Sequence, residues 1–333
     1  MMKSTLHSRK RRWLTKAGAA LLGSLIVTAS MAQADYPSKQ IRVIVPFPPG
    51  GASDTLGRMV AQHLSTAWGQ PAVVENRPGA GGNIGAEAGA KAAADGYTLT
   101  LAAAGFMAVN PTLYPKLNYD SARDFQPVSL LVRAPLLLVV NPKVEANNVR
   151  EFIQLAQRQP GKITVGNGGT GTAQHLGGVN FGLSANVDVS HVPYKGSAPA
   201  TNDLLGGVTD AQFDNLVTLV PFVKSGKLRA LGVSSKRRVS ALPDVPTLDE
   251  AGLPGFEDGT WYGIVAPKGT PHPVVERLNA ELHRMLAKPE TQQKLLSMGL
   301  EPSGDAPGEF GALITGEIAK YRTLINKANV KLD

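Results

Sequence analysis

Two glycine-rich loops hold the residues of this sequence that are best suited to bind a ligand. The first is Phe47-Pro48-Pro49-Gly50-Gly51-Ala52-Ser53-Asp54, and the second runs from Gly166 to Thr172. Each follows an apolar run and precedes an amphipathic stretch, so each predicts a turn whose N–H groups point outward at the start of a helix. Glycine lets the backbone approach a bound group closely, and a helix N-terminus attracts negative charge. Both loops therefore predict an anion cradle, although a plain turn capped by Ser53 or Asp54 explains the first loop equally well.

The second loop also matches a dinucleotide-binding pattern. Gly166, Gly168 and Gly171 have the Gly-x-Gly-x-x-Gly spacing, and Asp188 lies near the end of the next predicted strand, where an acid would bind a ribose. The alternative function is therefore an exported or mislocalised dinucleotide-binding oxidoreductase that uses the Gly166–Gly171 loop.

Polar side chains in and after the second loop suit a small ligand better than a dinucleotide. They are Thr170, Thr172, Gln174 and His175. A histidine at a helix start is more often hydrogen-bonded within the fold than bound to a ligand. His191, inside an apolar run, is interpreted as a core residue.

Further ligand candidates lie at the ends of two later predicted strands. Tyr194 offers a ring and a hydroxyl, and Asp214 offers a carboxylate at or near a helix N-terminus. Helix capping explains Asp214 as well as ligand contact does, and Lys195 is either a solvated charge or a ligand contact. Because ligands bind beyond the carboxyl ends of parallel strands, we expect these groups and both loops to converge on one crevice.

Residue types argue against several kinds of chemistry. The chain has no cysteine, so thiolate nucleophiles, disulfides and iron–sulfur clusters are excluded. Its six histidines include no pair at metal-binding helical spacing, and neither a Gly-x-Ser-x-Gly elbow nor a Walker loop occurs. We therefore predict no catalytic residue, no metal site and no bound cofactor.

The first 34 residues have the pattern of an export signal. They hold six basic and no acidic side chains, an apolar run at residues 17–29, and Ala32-Gln33-Ala34 as a small-x-small cleavage site. The apolar run is too short to cross about 30 Å of hydrocarbon as a helix. We expect cleavage after Ala34 and a periplasmic location rather than a membrane anchor; Arg11-Arg12 leaves the choice between the general and the twin-arginine export routes open.

Most of the positive charge of the chain lies in that segment. The formal charge of the whole chain is +8, whereas residues 35–333 carry 28 basic and 26 acidic side chains. A charge so close to balance leaves no basic face to follow a phosphate backbone. We therefore predict no nucleic-acid binding.

Short apolar runs alternate with amphipathic stretches over the rest of the 333 residues, a pattern typical of βαβ units in an α/β fold with parallel sheets. The predicted strands are residues 41–47, 72–75, 98–102, 136–140, 163–165, 187–192, 211–213, 228–233 and 262–266. The predicted crossover helices are residues 54–68, 84–94, 149–158, 172–183, 198–205 and 216–224. Three consecutive helices at 273–287, 290–298 and 307–326 predict a C-terminal helical pack.

Several longer runs resemble the signature runs of the Bug (TctC-like) extracytoplasmic solute-binding receptors, in the same order along the chain. They are VPFPPGG at 45–51, VENRPGAGGNIG at 74–85, DGYT at 95–98, HVPYKG at 191–196, FDN at 213–215 and ALPDVPT at 241–247. The resemblance covers essentially the whole chain after the export segment.

This resemblance implies a two-lobed periplasmic-binding-protein fold of the type II, Venus-flytrap kind. In that fold, parallel-sheet lobes are joined to a C-terminal helical pack. Residues 35–135 plus 257–333 would form lobe 1, and residues 136–256 would form lobe 2.

The resemblance also implies a function. Such a receptor captures a small carboxylate by hinge closure for uptake or sensing, and it is not an enzyme. The carboxylate would be held by backbone amides and ordered water from two facing loops, with Asp214 contributing from lobe 2. The solute would be a di- or tricarboxylate, an aromatic acid or an acidic amino acid. The expected partners are the membrane subunits of a tripartite tricarboxylate transporter or a sensor kinase, and we expect a monomer.

The second loop is more glycine-rich than its counterpart in the family, so Thr170 and Thr172 are predicted to supply the ligand-facing hydroxyls. The predicted ligand-binding residues are Phe47, Gly50, Gly51, Ala52, Asp54, Gly105, Gly169, Thr170, Gly171, Thr172, His175, Tyr194 and Asp214.

Overall fold

The computed structural model of the chain describes residues 36–331. The predicted export segment and its cleavage site lie outside the described residues. The described helices and strands all belong to one compact unit that begins at Lys39. Within residues 36–331, no helix combines the length and the apolar character needed to span a bilayer.

Ten strands of the described chain form a mixed sheet in the order β2-β1-β3-β9-β4-β7-β5-β6, and β10 and β8 both pair with β4. The strands are β1 Ile41–Val45, β2 Ala72–Asn76, β3 Thr98–Ala103, β4 Phe125–Val140, β5 Thr164–Asn167, β6 Ser190–Pro193, β7 Ala211–Asn215, β8 Arg229–Val233, β9 Gly259–Pro267 and β10 Glu301–Asp305.

Helices connect these strands and cover the sheet. They are α1 Ala52–Trp68, α2 Asn83–Ala90, α3 Asn110–Leu113, α4 Val149–Arg158, α5 Ala173–Ala185, α6 Ser197–Gly206, α7 Leu216–Lys224, α8 His272–Ala287, α9 Pro289–Ser297 and α10 Pro307–Ala328. Short helical turns at Ala80–Gly82 and Gly105–Val109 precede α2 and α3. The predicted α/β class and the three C-terminal helices are confirmed.

The long strand β4 takes part in two different sets of pairings. Its residues 125–135 pair with β9, and its residues 136–140 pair with β7 and β8. β1 is parallel to both β2 and β3, and β5 is parallel to both β6 and β7, whereas every pairing of β4 and β9 is antiparallel. The parallel units expected from the sequence are therefore present, but they are joined through an antiparallel centre.

Two predicted boundaries are wrong in a way that the sequence explains. The strand predicted at 136–140 begins already at Phe125, because a register shift against β9 just after Pro127 lets the strand include the proline. The C-terminal helices are not consecutive, since the short strand β10 lies between α9 and α10 and pairs with β4. Neither segment shows the regular alternation that predicts a strand.

Apolar residues fill the space on both faces of the sheet. One cluster joins α4 and α5 to β5 and β7 around Phe152, Phe181 and Phe213, and a second packs α7 against β4 through Leu219. In the C-terminal helices, Leu278 of α8 is fully buried.

Candidate functional site

The register of the central strands brings the carboxyl ends of β3 and β7 close to the middle of β4. β3 ends at Ala103, which lies opposite Tyr262 of β9, and Tyr262 in turn lies opposite Val132 of β4. β7 ends at Asn215, which lies opposite Leu136 of β4. The loops that follow β1 and β3 therefore meet the loops that follow β5, β6 and β7 near the middle of β4.

The β1–α1 loop presents backbone rather than side chains. Gly50 has φ +91°, and Gly51 is the residue before the helix, in an extended conformation without a side-chain cap. The first N–H groups of α1 therefore have no partner within the helix. A Cβ added to Gly51 would meet no atom within 4 Å, so the space in front of this helix start is open.

Asp54 holds the shape of this loop from behind. Its Oδ2 accepts hydrogen bonds from the Gly50 N–H (3.1 Å) and from Arg58 Nε (3.0 Å), and its Oδ1 accepts one from Asn76 Nδ2 (3.0 Å). Asn76 Nδ2 also donates to the Phe47 carbonyl at 3.1 Å. Burial opposes ionisation of Asp54, but these hydrogen bonds outweigh it and lower its pKa below the ordinary value. Asp54 is therefore a buried residue that stabilises the loop through its hydrogen bonds.

The β5–α5 loop satisfies its own polar groups. The Thr172 hydroxyl donates to the Gly169 carbonyl (2.8 Å) and accepts from the His175 N–H (3.2 Å), which caps α5. His175 Nδ1 accepts from the Gly171 N–H at 3.3 Å. Gly169 and Gly171 have φ +125° and +79°, conformations that favour glycine. The hydroxyl predicted to face a ligand thus has two partners within the loop.

A cavity of about 150 Å³ lies between these loops, and we call it the helix-terminus cavity. Among the predicted site residues, those that line it are Phe47, Gly50, Gly51, Ala52, Gly105 and Thr172.

Four helix starts contribute to its wall. Ala52 belongs to α1, Gln174 to α5, Ser197 to α6 and Thr218 to α7. The residues before α6 and α7 make no side-chain cap, as in α1. Helix N-termini carry partial positive charge and unbonded N–H groups, so their convergence favours an anion.

A hydrogen-bonded set of side chains completes one side of the cavity. Asn215 Nδ2 donates to the Tyr262 hydroxyl at 3.1 Å, and Ser53 and Tyr262 both line the cavity. Burial raises the pKa of Tyr262 well above its usual range, and nearby Asp214 raises it further, so the phenol stays neutral. Asn215 is 3% exposed, and its Oδ1 has no hydrogen-bond partner among the described residues. One amide atom of Asn215 thus remains for a ligand.

Asp214 lies behind this wall rather than in it. Its side chain is fully buried and accepts from Gln212 Nε2 (2.8 Å) and from the Asn215 N–H (2.7 Å). Burial raises its pKa, and Gln174 and Ser197, which line the cavity, lie close enough to oppose part of that effect. Asp214 therefore lies next to the cavity wall and does not itself line the helix-terminus cavity.

The remaining predicted residues are not among those that line this cavity. Thr170 and His175 line a separate, more open groove of about 760 Å³ along α5 and β6. The Tyr194 hydroxyl donates to Asp203 Oδ2 at 2.7 Å, and burial, followed by Asp203, raises the pKa of Tyr194 to about 12. A ligand role for these residues, and for Gly169 and Gly171, stays a prediction.

Several cavity residues were not assigned from the sequence. They are Ser53, Ser197, Asn215 and Tyr262, whereas Gln174 and Lys195 were considered in the sequence but were not among the predicted binding residues. One sequence signal could have identified Ser197. Gly196 directly precedes it and, like Gly51, stands before a helix without supplying a side-chain cap.

The dinucleotide alternative has little support in this geometry. Gly166 is buried against Thr209 and Ala200 and does not line the groove that contains Asp188. Asp188 also precedes β6 instead of lying at its carboxyl end, where an acid would bind a ribose. Among residues 36–331, no group of three or more His, Asp or Glu side chains is arranged to hold a metal ion.

Comparison with curated proteins identifies relatives over nearly the whole chain. The chain is 40% identical over 310 residues to the UPF0065 protein in the tcbD-tcbE intergenic region of Pseudomonas sp. (strain P51), covering 93% of this chain and 92% of the relative. It is 37% identical over 318 residues to protein BugT of Bordetella pertussis, covering 94% and 98%.

Solved structures also include relatives that match nearly the whole chain. A periplasmic transporter is 44% identical with a TM-score of 0.85, covering 90% of this chain and all of that one. Rpa4515 of R. palustris with adipate is 36% identical with a TM-score of 0.86, covering 89% and 99%. MatC (Rpa3494) of Rhodopseudomonas palustris with bound malate is 34% identical with a TM-score of 0.81, covering 87% and 100%.

A family model described as the tripartite tricarboxylate transporter family receptor, TctC, matches residues 56–330. Members of this family are periplasmic solute-binding receptors. The resemblance seen in the sequence is therefore confirmed: the chain belongs to the TctC (Bug-type) family of tripartite tricarboxylate transporter receptors and has their two-lobed periplasmic-binding-protein fold.

Proposed function

We propose that the protein captures a small carboxylate in the helix-terminus cavity for uptake or sensing. The observation that carries this proposal is the convergence of four helix N-termini on one cavity whose lining contains no acidic side chain. Such a cavity stabilises an anion without an arginine. The related structures of Rpa4515 with adipate and of MatC with bound malate support a carboxylate as the solute.

The N–H groups at the start of α1 would hold one carboxylate of the solute. Gly51 and Ala52 both line the cavity, and neither carries a side chain that competes for the first-turn N–H groups. Asp54 contributes by fixing Gly50 and Phe47 in place rather than by touching the solute. The loop is thus shaped before the ligand arrives, which lowers the entropic cost of binding.

Hinge closure is the proposed means of capture. We assign residues 35–135 plus 257–333 to lobe 1 and residues 136–256 to lobe 2. The cavity takes Ala52 from the first group and Ser197 from the second. Movement about the chain crossings would open the cavity to solvent and then enclose the solute.

The proposed biological setting follows from the N-terminal segment and the family. The mature protein would begin at Asp35 in the periplasm and act as a monomer. It would deliver the solute to the membrane subunits of a tripartite tricarboxylate transporter, or signal its presence to a sensor kinase, and it would not catalyse a reaction.

Calorimetric titration of the mature chain tests this function. Adipate, malate, glutamate, benzoate and NAD are added separately. We expect at least one carboxylate to bind with a Kd at or below the micromolar range, equivalent to about −8 kcal/mol. Saturable NAD binding without carboxylate binding would replace the proposal with the oxidoreductase.

Substitution of Gly51 by valine tests the place of binding. The new side chain would enter the open space before α1 and block the close approach of a carboxylate, so affinity should fall about tenfold or more. Gly308→Val is the control, because Gly308 likewise lies at the start of a helix and faces open space but does not line the cavity. If both variants bind the ligand with equal affinity, the carboxylate does not bind at the start of α1.

A further inference from the structure

Lys195 is the single charged side chain that lines the helix-terminus cavity in the described part of the chain. It is exposed, and it forms no ion pair with any residue between 36 and 331. Lys195 directly precedes Gly196, after which α6 begins. Lys195 therefore lines the cavity beside the uncapped N-terminus of α6.

This wall carries positive charge beyond what one carboxylate at α1 would use. The starts of α5, α6 and α7 all contribute to it, together with Lys195. Asp214, which does not line the cavity, has its oxygens occupied by donors from Gln212 and Asn215. Asn215 adds a buried amide with an unpartnered oxygen at the cavity, which is an independent sign of a polar ligand group there.

The amide of Asn215 is compatible with an acidic group at this position. The Tyr262 hydroxyl can either accept from Asn215 Nδ2 or donate to its Oδ1, because a phenol does both. Rotation of the amide would therefore turn Nδ2 towards the cavity without loss of the bond to Tyr262. A carboxylate would then have donors from the amide, the helix starts and Lys195.

We propose that Lys195 binds a second, distal acidic group of the solute and makes the receptor selective for dicarboxylates over monocarboxylates of equal length. This inference rests on the proposed function, since it needs the first carboxylate to bind at α1. A monocarboxylate would leave the lysine and three helix starts without a counter-charge. A dicarboxylate would place one carboxylate at the start of α1 and the other at the wall that contains Lys195.

Paired titrations measure this selectivity. Succinate and adipate are compared with butyrate and hexanoate on the wild-type chain and on Lys195→Gln. Loss of a charge-assisted bond costs about 1.5–3 kcal/mol, so the variant should bind the preferred diacid about ten- to a hundredfold more weakly. The affinity for the monoacid should change less than about threefold. Lys227→Gln, an exposed lysine outside the cavity, is the matched control and should change neither.

Charge reversal gives a second, independent readout. Lys195→Glu should weaken diacid binding further and should strengthen binding of 6-aminohexanoate relative to adipate, because the distal group would then meet a carboxylate. Thermal unfolding of each variant shows whether it is folded.

The outcomes separate the inference from the function on which it rests. If the wild type binds diacids, two results would refute the role of Lys195 while carboxylate capture stands. In the first, Lys195→Gln binds diacids as tightly as the wild type. In the second, Lys195→Gln loses affinity for monoacids and diacids to the same extent. If the wild type binds none of the four acids or the other carboxylates tested, both are refuted together.

Discussion

His175 is a buried titratable group that supports the second loop without lining the cavity. Its Nδ1 accepts the Gly171 N–H, and its ring packs edge-on against His191 with the ring centroids 5.2 Å apart. Burial, with a smaller effect from His191, lowers the pKa of His175 to about 4. The neutral ring is therefore the form that accepts the loop hydrogen bond.

Stability should depend on pH through this residue. The ordinary pKa of histidine is near 6.5, so between pH 6.5 and about 4 the unfolded chain binds a proton that the folded chain does not. The free energy of unfolding therefore keeps its full value above pH 6.5 and decreases as the pH falls towards 4, by about 3 kcal/mol in total. Chemical unfolding of wild type and His175→Gln over this range measures it.

The variant should show a smaller decrease in the free energy of unfolding between pH 6.5 and 4 than the wild type. The exposed His272 supplies the control, because His272→Gln removes an imidazole that the fold does not bury. An unchanged pH slope in His175→Gln would contradict the assignment of this effect to His175.

Asp214 shows how the tertiary structure sets the surroundings of a residue that the sequence singles out. A carboxylate beside a helix start is visible in the sequence, but its direction depends on which face of β7 packs inward. Here it faces the interior, where it accepts from Gln212 Nε2 and from the Asn215 N–H. A contribution of Asp214 to ligand binding stays a prediction.

At the scale of elements, the helix starts around the cavity differ in their caps. α1, α6 and α7 have no side-chain cap, whereas α5 is capped by the Thr172 hydroxyl. Ser, Thr, Asp or Asn usually occupies a cap because it satisfies an N–H group. An uncapped start leaves that N–H group to a ligand, so the absence of caps fits the proposed anion site.

Replacement of Thr172 by valine should chiefly destabilise the fold. The change removes the cap of α5 and the bond to the Gly169 carbonyl while nearly conserving volume, at a cost of about 1 kcal/mol. Differential scanning calorimetry should show a lower Tm, and Thr172→Ser should restore it. A normal Tm with a tenfold or greater loss of ligand affinity would instead support the direct contact that the sequence predicted.

For the whole molecule, Ser234 ties together the chain segments near the proposed lobe boundaries. The Leu136 N–H donates to Ser234 Oγ at 2.7 Å, and Ser234 Oγ donates to the Asp258 carbonyl at 2.5 Å. The Ser234 backbone also bonds to both segments. Because Ser234 is fully buried, water does not replace these bonds if the hydroxyl is removed.

Ser234→Ala should therefore lower the free energy of unfolding by about 1–3 kcal/mol. It should also alter the difference in radius of gyration between free and ligand-bound protein, measured by small-angle X-ray scattering, if these segments form the hinge. Ser225→Ala removes an exposed hydroxyl as the control. A radius change identical to that of the wild type would place the hinge elsewhere.

The sequence by itself determined the features that depend on neighbouring residues. Glycine and proline at Phe47–Asp54 specify a stiff turn into α1, and the helical periodicity gives most helices to within a few residues. The ordered motifs also identified the family. Only the tertiary structure decided which helix starts meet, because that depends on the register of β4 against β7 and β9. It likewise decided that Asp214 points inward and that Lys195 lines the cavity, because side chains far apart in sequence are brought together by packing rather than by local pattern.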